Sequence, residues 1–270
     1  MNTIIVDGVA MANQIGQELQ PKINRLGLVS LAVILVGDNP VSSRYVARKE
    51  SFGRKYGMEV KIFSYDKVVA EDELLSVIER LNNDASVNGI IVQLPLPSHL
   101  ETKKILGAID PLKDPDALSL EAIVDSPVVG AAREIIEKNN IDLVAKNVVV
   151  VGAGRLVGQP LAIYFAGTGS NVRSFTNRDE KALAEVLVTA DIIATGAGVP
   201  GLIKPEYLKN GVVLLDAATS EDGGTLKGDA DPACVTKCSI FTPVPGGIGP
   251  LTMAILFKNL VFLASRQAGF

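Results

Sequence analysis

The chain has 270 residues, of which 47% are hydrophobic and 21% charged, a balance that excludes wholesale disorder and leaves enough apolar material for a core without disulfides or metal. The net charge is −4 and no Lys/Arg run exceeds two residues, so nucleic acid is not an expected partner. No uninterrupted apolar stretch reaches the ~18 residues of a membrane span. The segment Met1–Asp7 has no basic, apolar leader, so a cytoplasmic protein without a membrane partner is expected.

At roughly 100–200 residues per domain, the length predicts two domains. Along the chain, short apolar strands alternate with helical segments. Val29–Val36 reads as a strand ending in the turn Gly37-Asp38-Asn39-Pro40, and 42–56 as a helix rich in Arg and Lys. Residues 60–64 read as a strand, 71–82 as a helix and 89–93 as a strand stopped by Leu94-Pro95-Leu96-Pro97. A short helix is predicted over 102–108. This βαβαβ rhythm predicts a parallel sheet. Asp110–Asp116 is a Pro/Asp-rich loop suited to a hinge.

A helix near 130–139 precedes a second βαβ series. Its strands are predicted at 147–151, 171–175, 191–195, 212–217 and 239–242, with helices over 159–167 and 179–189. The terminal stretch 251–264 is apolar at helical spacing. Cys234 and Cys238 stand alone, and the single His99 reads as a loop residue, so no metal site is expected.

Two patterns carry chemistry. The first is a strand, then Gly152-Ala153-Gly154-Arg155-Leu156-Val157-Gly158, then a helix. Gly152 permits a tight turn, and Gly154 lets backbone N–H groups approach a pyrophosphate held at the helix N-terminus. The G-x-G-x-x-x-G spacing is one residue longer than the common fingerprint. A packing turn without ligand is the plainer reading, but the strand–turn–helix context favours a dinucleotide. The next strand ends in Arg173-Ser174-Phe175-Thr176-Asn177-Arg178, with no acid for a ribose 2′-OH. Arg178, with Arg173 or Arg155, suits a 2′-phosphate, so NADP is favoured and NAD is the alternative.

The second pattern is dispersed. Tyr45 and Lys49 are four residues apart on one predicted helix, Gln93 ends a strand, and Asp114 and Asp116 lie in the hinge loop. Singly, these are ordinary surface, turn or cap residues.

Together the strings resemble one family over nearly the full length. They are Val36-Gly37-Asp38-Asn39-Pro40 with Ser42, Tyr45 and Lys49, then Gly89–Pro97 with its Gln93-Leu94-Pro95-Leu96-Pro97, then Asp110-Pro111-Leu112-Lys113-Asp114-Pro115-Asp116. Val149-Val150-Val151-Gly152 and Thr242-Pro243-Val244-Pro245-Gly246-Gly247-Ile248-Gly249-Pro250-Leu251-Thr252 complete the set. The chain resembles the bifunctional methylenetetrahydrofolate dehydrogenase/methenyltetrahydrofolate cyclohydrolase family.

The resemblance implies two α/β domains around a cleft, the C-terminal one a Rossmann-type dinucleotide-binding domain. It implies a folate domain over 1–117 joined by the C-terminal helix 251–270, and a nucleotide domain over 140–250. It implies oxidation of methylenetetrahydrofolate with NAD(P), then hydrolysis of the methenyl product to 10-formyltetrahydrofolate. Lys49 is the implied general acid/base, with Gln93 tuning it, Tyr45 stacking on the substrate rings and Asp116 bonding the pterin. Ser42, Pro95, Pro245, Gly246 and Gly247 are implied substrate contacts. Gly152, Gly154, Arg155, Gly158, Arg178 and Gly247 are expected at the cofactor. Tetrahydrofolate derivatives are the implied ligands and a homodimer the implied assembly. The alternative is a single-activity or substrate-shifted paralogue. The departures lie beside these positions: Ala117 where the family usually has Gly, Ser126-Pro127-Val128-Val129 for a Pro-Cys-Thr-Pro-type segment, Ala153-Gly154 for Arg-Ser, Thr176-Asn177 for His-Ser, and Ala217–Ser220 after Asp216.

Overall fold

A computed structural model describes residues 2–176, 180–222 and 225–269. In chain order its elements are β1 (Ile4–Ile5), α1 (Gly8–Leu26), β2 (Ser30–Val36), α2 (Pro40–Tyr56), β3 (Glu59–Tyr65), α3 (Glu71–Asn83), β4 (Gly89–Val92), α4 (Thr102–Gly107) and α5 (Pro127–Lys138). They continue with β5 (Asn147–Val151), α6 (Gly158–Gly167), β6 (Asn171–Phe175), α7 (Glu180–Leu187), β7 (Ile192–Thr195), β8 (Val212–Asp216), β9 (Ser220–Asp222), β10 (Thr225–Lys227), β11 (Cys238–Phe241) and α8 (Ile248–Gln267). The chain forms two compact α/β units, Asn13–Pro127 with Met253–Phe270, and Met1–Ala12 with Val128–Thr252.

The first unit holds a parallel three-stranded sheet in the order β3-β2-β4. Its central strand, Ser-Leu-Ala-Val-Ile-Leu-Val, has only Leu35 short of full burial. A continuous apolar run is what a strand covered on both faces requires. Ile34, Ile90, Leu74, Ile78, Ile105 and Leu106 form one fully buried cluster with it. The C-terminal half of α8 belongs to this unit. Phe257 stacks on Phe52 with ring centroids 4.9 Å apart, and Gln267 Nε2 donates to the carbonyls of Asn88 and Leu112 at 3.0 and 2.8 Å. By length and composition α8 is apolar enough to cross a bilayer. Its Phe257, Leu260 and Leu263 are instead completely buried in protein, which accounts for its apolarity.

The second unit holds a six-stranded parallel sheet, β1-β11-β8-β7-β5-β6. From β5 the chain passes through α6 to β6 on one side and through α7 to β7 on the other. The strand order therefore reverses at the carboxyl end of β5, where open α/β sheets bind ligands.

Several features differ from the expectations. Met1–Ala12 falls in the second unit, not with the first domain, because Ile4 and Ile5 pair with Ile240 and Phe241. Helix α1 is absent from the predicted elements. Its buried residues Gly8, Ala12, Ile15, Gly16, Leu19 and Ile23 follow helical spacing, but three are small and Pro21 interrupts the pattern. Helix α5 begins three residues early because Pro127 takes its first position, where the missing N–H costs nothing. The antiparallel pair β9–β10 is a further element not predicted.

Candidate active site

In the first unit, local sequence sets up α2. Gly37 turns with φ +78°, and the Asn39 side chain accepts from the N–H groups of Val41 and Ser42 at 2.9 and 3.2 Å. Pro40 starts the helix and Gly57 ends it in the left-handed region, φ +79°. The buried residues of α2 are Ser42, Val46, Lys49, Gly53 and Tyr56, a stripe at spacings of four, three, four and three. Lys49 thus occupies a core-facing position and is only 7% exposed.

Lys49 Nζ donates to Gln93 Oε1 at 2.9 Å, and Gln93 Nε2 donates to the Leu94 carbonyl at 2.9 Å. The Gln93 N–H continues the β4 ladder onto Ile34 O at 2.9 Å, which anchors its backbone. Burial pulls the Lys49 amine below the ordinary lysine range, and the Asp116 charge draws it partly back. Burial also pushes the Asp116 carboxyl above the ordinary carboxylate range, with Lys49 opposing and Asp114 adding to the rise. Lys49 and Asp116 therefore act on each other electrostatically, and Gln93 joins them through its hydrogen bond to the amine.

The 110–116 string divides its work. The Asp110 side chain caps Leu112 N at 2.8 Å. Lys113 Nζ donates to the carbonyls of Leu81 and Asp84, at 3.1 and 2.7 Å, at the end of α3. Asp114, wholly buried, accepts the N–H of Asp116 at 3.2 Å and of Ser119 at 2.7 Å. Asp116 is the acid whose charge acts on Lys49. Ala117, next in line, holds φ +54°, a left-handed conformation that suits glycine. Tyr45 is half-buried with the Arg48 guanidinium 5.7 Å from its ring centre, and Pro95 is exposed. His99 is an exposed loop residue, its Nε2 3.1 Å from Val69 O.

In the second unit, Gly152 has φ +95°, and a Cβ there would lie 2.9 Å from the Gly196 carbonyl oxygen. A Cβ at Gly158 would lie 2.1 Å from the Gly152 oxygen. Both glycines answer to close packing. Gly154 does not: a Cβ there meets nothing within 4 Å among the described residues. Val157, at the start of α6, supplies no side-chain cap to the first N–H groups. A pocket of about 240 Å³ opens here, lined by Gly152, Ala153, Gly158, Gln159, Ala162, Ile163 and Ser174. The Gln159 N–H already donates to Gly154 O at 3.1 Å and Pro160 has none, but the open glycine turn at this helix start, outside the switch-point strand, fits the pyrophosphate of a dinucleotide. Arg155 and Arg173 are exposed and do not line this pocket; Arg173 precedes the lining residue Ser174 on β6 and so stands on the other face of the strand, while Arg178 lies outside the described residues.

The Pro245-Gly246-Gly247 loop also belongs to this unit. Gly246 O accepts the Gly8 N–H at 2.8 Å. A Cβ on Gly247 would lie 2.6 Å from Pro243 O, so packing explains that glycine, whereas Gly246 (φ +106°) is open.

Sequence reading missed the pocket residues Gln159, Ala162, Ile163 and Ser174. It also missed two buried acids, Asp216 and Asp229. Asp216 closes the otherwise apolar strand Val-Val-Leu-Leu-Asp, a signal that was available. Burial pushes its carboxyl up to about 7, against the backbone N–H groups of Ala230 and Ala218 that bond it at 2.8 and 3.0 Å. Cys234 and Cys238 are buried thiols pushed up to about 12 by desolvation, which makes them inert as nucleophiles.

Two family models match the chain. The tetrahydrofolate dehydrogenase/cyclohydrolase catalytic domain matches residues 6–116, and the NAD(P)-binding domain of the same family matches 127–268. The chain is 37% identical over 280 residues to a bifunctional protein FolD of Nautilia profundicola, covering 98% of each. A FolD crystal structure from Campylobacter jejuni superposes with a TM-score of 0.93 at 33% identity, covering 98% of this chain and 99% of that one. A Trypanosoma brucei FolD, solved with NADP and an inhibitor, superposes with a TM-score of 0.93 at 27% identity, covering 98% of each chain.

Proposed function

From its membership of the tetrahydrofolate dehydrogenase/cyclohydrolase family, to which the chain belongs, we infer that the protein is a bifunctional enzyme of one-carbon metabolism. It oxidises 5,10-methylenetetrahydrofolate to the methenyl form and hydrolyses that to 10-formyltetrahydrofolate. The observation that carries the reading is the buried Lys49–Gln93 pair with Asp116 beside it.

When bound, the nicotinamide cofactor takes up the hydride that leaves the one-carbon bridge. The glycine turn 152–158 and the start of α6 hold its pyrophosphate. Tyr45 offers an aromatic face to the substrate rings, and Asp116 offers a carboxyl to the pterin. The methenyl product is a cation. Water adds to its carbon, and Lys49 in its neutral form takes a proton from the added oxygen. The remaining O–H proton then leaves as the C=O forms and the carbon–N5 bond breaks; N5 takes up one proton, the other is released, and the formyl group stays on N10. An ordinary lysine would be almost wholly charged at pH 7; burial lowers the cost of the neutral form.

NADP is the proposed nucleotide. The exposed Arg155 within the glycine turn and the absence of an acid on β6 support it, as does NADP in the Trypanosoma brucei relative. A cytoplasmic homodimer is proposed from the family resemblance. Light scattering tests the dimer.

The decisive experiment is spectrophotometric. The purified protein receives methylenetetrahydrofolate with NADP or NAD in parallel, and separately methenyltetrahydrofolate alone. Nucleotide reduction and methenyl decay above the spontaneous rate are expected. Lys49→Ala abolishes the second activity. Silence of the folded wild type in both assays overturns the reading.

A further inference from the structure

The carboxylate of Asp229 is completely buried and takes part in no step described above. Three donors converge on it. Oδ2 accepts the Thr195 hydroxyl at 2.5 Å and the Ala197 N–H at 2.7 Å, and Oδ1 accepts the Val199 N–H at 2.6 Å. Its carbonyl accepts the Ile203 N–H at 2.9 Å. One side chain thus clamps the chain from the last residue of β7 through the following loop.

That loop is pressed against the glycine turn. The Gly196 N–H donates to Val151 O at 2.9 Å. A Cβ on Gly152 would meet Gly196 O and Ala197 Cα at 2.9 and 3.0 Å, and a Cβ on Gly196 would lie 2.2 Å from Val157 Cγ1. The 196–197 backbone therefore touches both ends of the turn. Loop and turn are therefore packed too closely at both places to admit a methyl group, and a displaced loop would bear on Gly152 or Val157.

We propose that Asp229 is a positioning residue for dinucleotide binding: it holds the 196–199 loop as the abutment that sets the shape of the 152–158 turn. The proposal rests on the nucleotide reading given above. A carboxylate is required because all three partners donate. An asparagine of the same size keeps one acceptor oxygen and, in either orientation, turns its NH₂ towards a backbone N–H, that of Ala197 or that of Val199; the Thr195 hydroxyl can rotate to accept, but an N–H cannot. The loop must then move to separate two donors.

The test uses the full-length protein with Asp229→Asn and Thr195→Val. The readouts are the dissociation constant for NADP⁺ and NAD⁺, the dehydrogenase KM and kcat, and the cyclohydrolase rate on methenyltetrahydrofolate. For Asp229→Asn, the nucleotide dissociation constant and KM rise at least tenfold. The dehydrogenase kcat at saturating nucleotide stays within threefold, and the cyclohydrolase rate within twofold. Thr195→Val, which loses one of the three bonds, weakens binding about threefold. A merely structural Asp229 lowers Tm and leaves nucleotide affinity alone; that result, in a folded Asp229→Asn protein, overturns the proposal. Where Asp229→Asn does not fold, Thr195→Val decides, and unchanged affinity there overturns it. Failure of the wild type to bind either nucleotide overturns the nucleotide reading itself, and the positioning role with it.

Discussion

Lys49 Nζ and Gln93 Oε1 are 2.9 Å apart, and the other end of the Gln93 amide is tied to Leu94 O. The amide oxygen therefore faces the amine by construction. Both the charged and the neutral amine can donate to a neutral acceptor. Gln93 orients Lys49 without locking a proton onto it, as a carboxylate at the same place would.

Gln93→Glu puts that carboxylate there. The amine gains an opposite charge at hydrogen-bond distance, so its pKa rises. The limb of the cyclohydrolase pH–rate profile that reports neutral Lys49 moves to higher pH, and the rate at pH 7 falls. A profile superposable on the wild type contradicts the coupling.

Asp116→Asn has the opposite sign. The Asp116 charge raises Lys49 against the larger effect of burial. Removing it lowers Lys49 further, and the same limb moves to lower pH. The absolute rate also falls if the pterin loses its partner, so the position of the limb is the quantity to read.

Gly154→Ala and Gly158→Ala separate ligand from packing. A Cβ on Gly154 meets nothing within 4 Å among the described residues, so this variant melts like the wild type yet binds NADP⁺ more weakly. A Cβ on Gly158 collides with the Gly152 carbonyl, and overpacking of this kind costs about 1–3 kcal/mol. Cyclohydrolase activity survives Gly154→Ala. Undiminished nucleotide affinity in that variant removes the turn from the nucleotide site.

Ala117→Gly relieves a left-handed alanine at φ +54°. Relief of the Cβ clash outweighs the extra freedom of glycine in the unfolded chain, for a net gain of at most about 1 kcal/mol. A lower denaturant midpoint in the variant contradicts this.

Asp216 makes stability fall as pH rises. Its carboxyl is pushed up to about 7 in the folded chain, against an ordinary unfolded value near 3.9. Between those values the folded state holds the proton and the unfolded state has lost it, so raising the pH favours unfolding. Tm declines from pH 4.5 to 7.5, and Asp216→Asn flattens that slope. The depressed carboxyls of Glu71, Asp84 and Asp191 act below this window, because their stabilisation is lost only as the pH falls through their lowered values. An unchanged slope in Asp216→Asn removes the assignment.

Much of this protein was legible in order along the chain. The apolar strands β2, β4, β5 and β8, the turn that precedes α2 and the strand–glycine–helix turn each report a local preference; that α2 starts at Pro40, capped by Asn39, two residues before the expected start, was not read. Side-chain periodicity and backbone conformation are set within a window of about a dozen residues. The family strings placed Lys49, Gln93 and Asp116 in one reading, although they are dispersed over 68 positions of sequence. Tertiary structure decided the rest. It put Lys49 on a buried stripe and brought Gln93 to it, gave β1 to the sheet of the other unit, and buried Asp216 and Asp229. A polar side chain's energy depends on which segments bury it and which donors they bring. Those neighbours come from strands adjacent in space and distant in sequence, so no local pattern encodes them.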